Sequence, residues 1–169
     1  MIEIASVKHK DHLAPYAQEL LDGLIPLLRR LNTDQLSPTS FVAVEEHKED
    51  FVLRLEVTPS IEDIPSLDLW ASRDQCILSF AESEQIEAHG LRSEGQELVE
   101  SILTAIERYL DGITVVERYN KNGKLLGKEY FYGVDMEYDK DSRIGTSYFF
   151  AFPRRTESVV KRTHKFLKK

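Results

Sequence analysis

The sequence predicts an α+β fold, a mostly antiparallel sheet built from hairpins with helices packed on one face, in the order helix, four strands, helix, four strands, helix. Three observations predict it. Leucine and isoleucine recur at three-to-four-residue spacing in two long runs, as the buried stripe of an amphipathic helix requires. Short runs rich in valine, phenylalanine and tyrosine lie between turn residues, Asn122-Gly123 above all. The chain of 169 residues, 41% hydrophobic and 30% charged, suits one globular domain over 1–169 with its own core.

Ile2, Ile4 and Val7 suggest a short leading strand. A first helix is expected from about Leu13 to Leu31, with Leu20, Leu21, Leu24, Leu27, Leu28 and Leu31 on one side. Pro15 suits its first turn. Pro26 has no amide to give the carbonyl of Asp22, so a bend or split is expected near Gly23 and Pro26. After a polar loop containing Ser37-Pro38, Phe41 to Val44 and Phe51 to Val57 flank a charged turn at His47 to Asp50 and read as a hairpin. Thr58 to Ser66, with Pro59 and Pro65, is a loop. Leu67 to Ala71, with the lone tryptophan Trp70, and Cys76 to Ala81 read as another hairpin, and Gln85 to Gly90 reads as ambiguous, with an extension of the last strand as one option.

Ser93 and Gln96 have capping-box spacing, so each satisfies an amide at the start of a second helix. Leu98, Val99, Ile102, Leu103, Ile106 and Leu110 form its stripe, and Asp111-Gly112 offers a left-handed stop. Asn122-Gly123 asks for a two-residue type I′ turn, since both residues tolerate positive φ. That turn pairs Lys121 with Lys124, Tyr119 with Leu126, Glu117 with Lys128 and Val115 with Tyr130. Val134 to Asp139 and Thr146 to Phe152 give a last hairpin, and residues 156–169 a basic C-terminal helix carrying Val159, Val160, Thr163, Phe166 and Leu167. Residues 13–90 and 93–152 share a loose echo, FVAVEEHKED against ITVVERYNKNG, which suggests a pseudo-repeat.

The segment Glu117-Arg-Tyr-Asn-Lys-Asn-Gly-Lys-Leu resembles the hairpins of MORN-like repeats. It covers a single unit with no second copy, and no family function comes with it.

The charge is uneven. Arg154, Arg155, Lys161, Arg162, Lys165, Lys168 and Lys169 face only Glu157 in the last segment, so residues 1–153 hold −13 behind a net charge of −7. An acidic body disfavours general binding to phosphate backbones and favours a basic partner. No apolar run has the length of a membrane span, the first residues lack the pattern of a signal peptide, and the single cysteine, Cys76, has no internal disulfide partner. A cytoplasmic, bacterial-type protein is expected.

Candidate chemistry is sparse. Glu87 and His89 can pair around a ligand; the plainer reading of His89 is a strand-end histidine bonded to backbone. His9 and His12 have a metal-ligand spacing with no evident third ligand, so no metal and no cofactor are expected. Asp139 to Gly145 departs from a calcium loop at its fifth and twelfth positions. Asp135, Glu137 and Asp139 alternate along one strand and form an acidic row for a basic partner, while Arg154, Arg155, Lys161, Arg162 and Lys165 are the basic candidates. No serine elbow, phosphate-cradling glycine loop or CxxC pair is present.

The leading expectation is therefore a non-enzymatic interaction domain, immunity-protein-like or small-chaperone-like, that binds a basic protein through an acidic face. The alternatives are a small-ligand or metal-binding domain or hydrolase around His89, and a nucleic-acid or membrane adaptor working through the basic tail. Catalysis ranks below binding, and the oligomeric state is open.

Overall fold

The computed structural model describes residues 3–4, 9–61, 63–80, 83–89, 95–133, 143–148, 156 and 158–168. The chain gathers into two compact units: residues 1–107 with 166–169, and residues 108–165.

Unit 1 carries helix α1 (Pro15–Arg29), most of helix α2 (Gly95–Asp111) and a six-stranded sheet. Its strands are β1 (Glu3–Ile4), β2 (Phe41–His47), β3 (Asp50–Val57), β4 (Leu67–Ala71), β5 (Gln75–Phe80) and β6 (Ser83–His89), adjacent in that order. All pairs are antiparallel except the short β1–β2 pair. Both expected hairpins are present, and the run ending at His89 is a strand, paired along β5.

Side chains alternate across a strand, so burial sorts this sheet into two faces. Leu53, Leu55, Val57, Leu67, Leu69, Ala71, Cys76, Leu78 and Phe80 form an inner face, each at most 2% exposed. Helix α1 lies against β3 and buries Tyr16, Ala17, Leu20, Leu21, Leu24 and Leu28. Each such leucine contributes about 1.5–3 kcal/mol by burial, so the stripe holds the helix in place. Of the bend or split expected near Gly23 and Pro26, the split does not occur. Pro26 sits inside the helix on its exposed side, and Asp22, whose carbonyl would have taken its amide, is also exposed.

Gly23 of α1 packs against Leu103 of α2. A Cβ there would collide with Leu103 Cδ1 and come within 3.3 Å of its Cγ. The expected cap at Ser93 lies outside the described residues. The left-handed stop at Gly112 is not used: the amide of Gly112 still donates to the carbonyl of Arg108 (3.4 Å), and the chain passes directly into the next strand without reversing.

Unit 2 is a four-stranded sheet in the order β10-β7-β8-β9, made of β7 (Ile113–Tyr119), β8 (Leu125–Tyr132), β9 (Arg143–Tyr148) and β10 (Ser158–His164). The C-terminal helix expected over 156–169 is thus corrected to a strand, antiparallel to β7. Two causes act together. Val159, Val160 and Thr163 are β-branched and favour a pleated surface, and β7, otherwise an edge beside β8, gains partners for its outward amides and carbonyls. Thr163 also shares a 3.1 Å hydroxyl bond with Thr114 of β7. The strand expected at Val134 to Asp139 lies outside the described residues. The described elements thus comprise two α-helices and two sheets, with the suggested leading strand present as β1, β6 added to the expected order and the last helix replaced.

The central hairpin keeps its expected register along most of its length, with Val115 opposite Tyr130 and Glu117 opposite Lys128. Its tip differs. Tyr119 pairs with Leu125 instead of Leu126, across a bulge. Of the two turn residues only Gly123 has a positive φ, +72°, and its amide donates to the carbonyl of Asn120 (2.9 Å). The central pair is therefore Lys121-Asn122, followed by a left-handed glycine bulge, which is the three-residue hairpin loop. Asn120 selects it, because its side-chain oxygen accepts the amides of Asn122 (2.9 Å) and Lys124 (3.0 Å).

After β10 the chain returns to unit 1. Phe166 is fully buried there, its carbonyl accepts the amide of Asn32 (2.6 Å), and Lys168 donates its amide to the carbonyl of Arg30 (2.8 Å).

Two substitutions test these features by equilibrium denaturation. Gly23→Ala gains about 1 kcal/mol of helix propensity but collides with Leu103, an overpacking cost of roughly 1–3 kcal/mol. The expected net is a loss of about 1 kcal/mol, turning to a gain in a Leu103→Ala background. Gly123→Ala meets no neighbour within 4 Å, so its expected cost is the left-handed backbone alone, about 1–2 kcal/mol, and Gly123→Asn should cost less.

Candidate functional site

The outer face of the unit 1 sheet is where the hydrophobic alternation leaves chemistry exposed. Cross-strand register arranges it in rows. One row runs Ala43, Arg54, Trp70, Ile77, and the next runs Phe41, Glu56, Asp68, Ser79. Strand β6 extends both, with Glu87 at the position opposite Ile77 and Glu84 opposite Ser79. Trp70 is half-buried at the centre, with His47 meeting its ring edge-on at 5.4 Å. The guanidinium of Arg54 lies 5.3 Å from the Phe41 ring centroid and 5.7 Å from that of Trp70, and pairs with Glu45 at 3.3 Å. Its cation is thus answered by one carboxylate and two aromatic rings.

The row below is not answered. Glu56 and Asp68 stand directly opposite each other, a like-charge pair that weakens a sheet. Glu56 accepts a hydrogen bond from the Thr58 hydroxyl (2.9 Å), whereas the Asp68 carboxylate has no hydrogen bond or ion pair among the described residues. Burial, then the charge of Glu56, push the Asp68 carboxyl above its usual range, and Arg54 pulls it only partly back.

Among the described residues, two clefts that share Trp70 open on this face. The smaller, about 290 Å³, is lined by Arg54, Asp68, Trp70, Ile77 and Ser79. The larger, about 430 Å³, lies between the β2–β3 turn at His47 to Asp50 and the β4–β5 turn at Ser72 to Gln75. Asp50 ties these turns together, accepting the amides of Phe51 and Arg73, each at 2.9 Å. From the inner side, Tyr16 donates its hydroxyl to the carbonyls of Ser72 and Gln75. Burial raises the pKa of that phenol, so it remains a donor.

The predicted site residues fall in several places. Glu87 and His89 lie on β6, with His89 opposite Gln75, a residue of the larger cleft. Asp135, Glu137, Asp139, Arg154 and Arg155 lie outside the described residues. Lys161 and Arg162 lie on β10, and Lys165 follows it. Arg162 reaches Glu117 at 3.4 Å, and the same carboxylate takes Lys128 (3.3 Å) and the Tyr119 hydroxyl (2.8 Å). Part of the tail's basic charge is therefore spent inside unit 2.

His9 and His12 stand with ring centroids 5.7 Å apart, both against Phe51, and no three metal-binding side chains converge among the described residues. Cys76 is buried, and burial pushes its thiol up to about 12, so it stays protonated and unreactive near neutral pH. Among the described residues no helix is long and apolar enough to cross a membrane.

Comparison with protein-family models, curated proteins and solved structures finds no match to this chain.

Sequence reasoning passed over Arg54, Glu56 and Asp68. The signal was present: each alternates with a buried leucine on a predicted strand, which assigns all three to one face.

The pH dependence of Asp68 has a definite sign. A carboxyl raised in the folded state destabilises the fold when ionised, and this penalty disappears as pH falls through the folded pKa. Asp68→Asn is therefore expected to raise the Tm at pH 7. The difference should vanish below about pH 4, the ordinary carboxylate range, and a scan at both pH values checks it.

Proposed function

We propose that this chain is a non-enzymatic interaction domain, in the manner of an immunity protein or a small dedicated chaperone, which takes a basic partner on the outer face of its six-stranded sheet. The supporting observation is Asp68. Its carboxylate faces Glu56 and lines a cleft beside the half-buried Trp70, with no ion pair or hydrogen bond among the described residues and only a partial offset from Arg54. A cationic side chain from a partner relieves that repulsion at the moment of binding, and the aromatic centre supplies the apolar contact that anchors interfaces of this kind. The acidic surface thus differs from the one the sequence suggested at Asp135 to Asp139.

Trp70, the only tryptophan, reports directly on the face. A hexapeptide of alternating lysine and arginine, titrated at low ionic strength, is expected to change its fluorescence saturably. The affinity should fall as salt rises toward 0.15 M, where the screening length is about 8 Å. Asp68→Asn should weaken binding while raising stability, a combination that loss of a merely structural residue does not produce. An unchanged spectrum at low salt, or equal binding by Asp68→Asn, refutes the proposal.

A further inference from the structure

Resting on that reading, we infer that the partner enters the smaller cleft with an arginine side chain, its guanidinium on Asp68 and its plane against Trp70. The cleft's size limits the occupant. At about 290 Å³ it lies at the bottom of the range for small-molecule sites, roughly 300–1,000 Å³, and it fits one extended side chain.

The lining selects among cations. Asp68 offers a carboxylate with both oxygens free of hydrogen bonds among the described residues, which a planar guanidinium meets with two parallel N–H donors. Ser79, opposite Asp68 in the register, adds a hydroxyl as a further acceptor. The remaining lining is Arg54, Leu55, Leu69, Ile77 and Trp70. A lysine ammonium is compact and strongly hydrated and loses more than it gains against such walls, whereas a guanidinium is weakly hydrated and stacks on aromatic faces.

The face already holds one guanidinium in this manner. Arg54 sits between the rings of Phe41 and Trp70 with Glu45 as its counter-charge. Since Glu45 neutralises Arg54, its repulsion toward a second guanidinium is reduced, and the Glu56–Asp68 pair remains in excess.

Calorimetric titration of hexa-arginine and hexalysine at low salt tests this. Hexa-arginine is expected to bind about tenfold more tightly, the equivalent of about 1.4 kcal/mol, in line with a partly desolvated cation–π contact. The preference should collapse in Asp68→Asn and in Trp70→Leu. It should survive in Glu19→Gln, which removes the same charge from the exposed side of α1. Equal binding of the two peptides, or a preference that persists in both cleft variants, overturns the arginine assignment and leaves the basic-partner reading standing. Failure of both peptides to bind removes that reading as well.

Discussion

The two-residue period of the β-strand is the constraint on which unit 1 depends. Leu53, Leu55 and Val57 can be buried together only if Arg54 and Glu56 point the other way, and the same holds for Leu67, Leu69 and Ala71 against Asp68 and Trp70. The sealed inner face therefore determines the composition of the outer one. A one-residue slip between β3 and β4 would carry leucines into water and carboxylates under α1. Such a slip is costly, so the polar grid is held as firmly as the core.

How much of this could be read in advance follows from which forces are local. The α1 and α2 stripes, the β2–β3 and β4–β5 hairpins and the inner register of the central hairpin were legible because each is decided by neighbours in sequence. The tip of that hairpin was not. Asn122-Gly123 satisfies the local rule for one turn, but the side chain of Asn120 captures two amides and stabilises another. The last strand escaped for a different reason. Val159, Val160 and Thr163 fit either a loose helical stripe or a pleat, and only pairing with the distant β7 decides between them. The site was half-legible: alternation marks Arg54, Glu56 and Asp68 as outward, but their being opposite one another depends on strand pairing.

The two units treat half-hidden carboxylates differently. Glu117 in unit 2 is 3% exposed and is met by Lys128, Arg162 and a tyrosine hydroxyl, and Glu129 is met by Arg118 at 2.7 Å. These charges are compensated within their own sheet, and removing a cation from such a cluster leaves an unpaired charge, which is costly. Asp68 has no ion pair or hydrogen bond among the described residues. Within one chain that is built to neutralise its buried acids, a carboxylate left to repel its neighbour stands out as a departure from the chain's own practice.

The excursion of the chain through unit 2 before it returns to unit 1 has a consequence for biosynthesis. Phe166, fully buried and grouped with unit 1, follows every residue of unit 2 in the order of translation. As the nascent chain leaves the ribosome, the six strands and α1 emerge first, yet their core lacks this ring until β10 has been made. Until then, Leu31 and Asn32 wait for the partners that Leu167 and Phe166 supply. The core of unit 1 therefore receives its last ring only after the whole of unit 2 has been made.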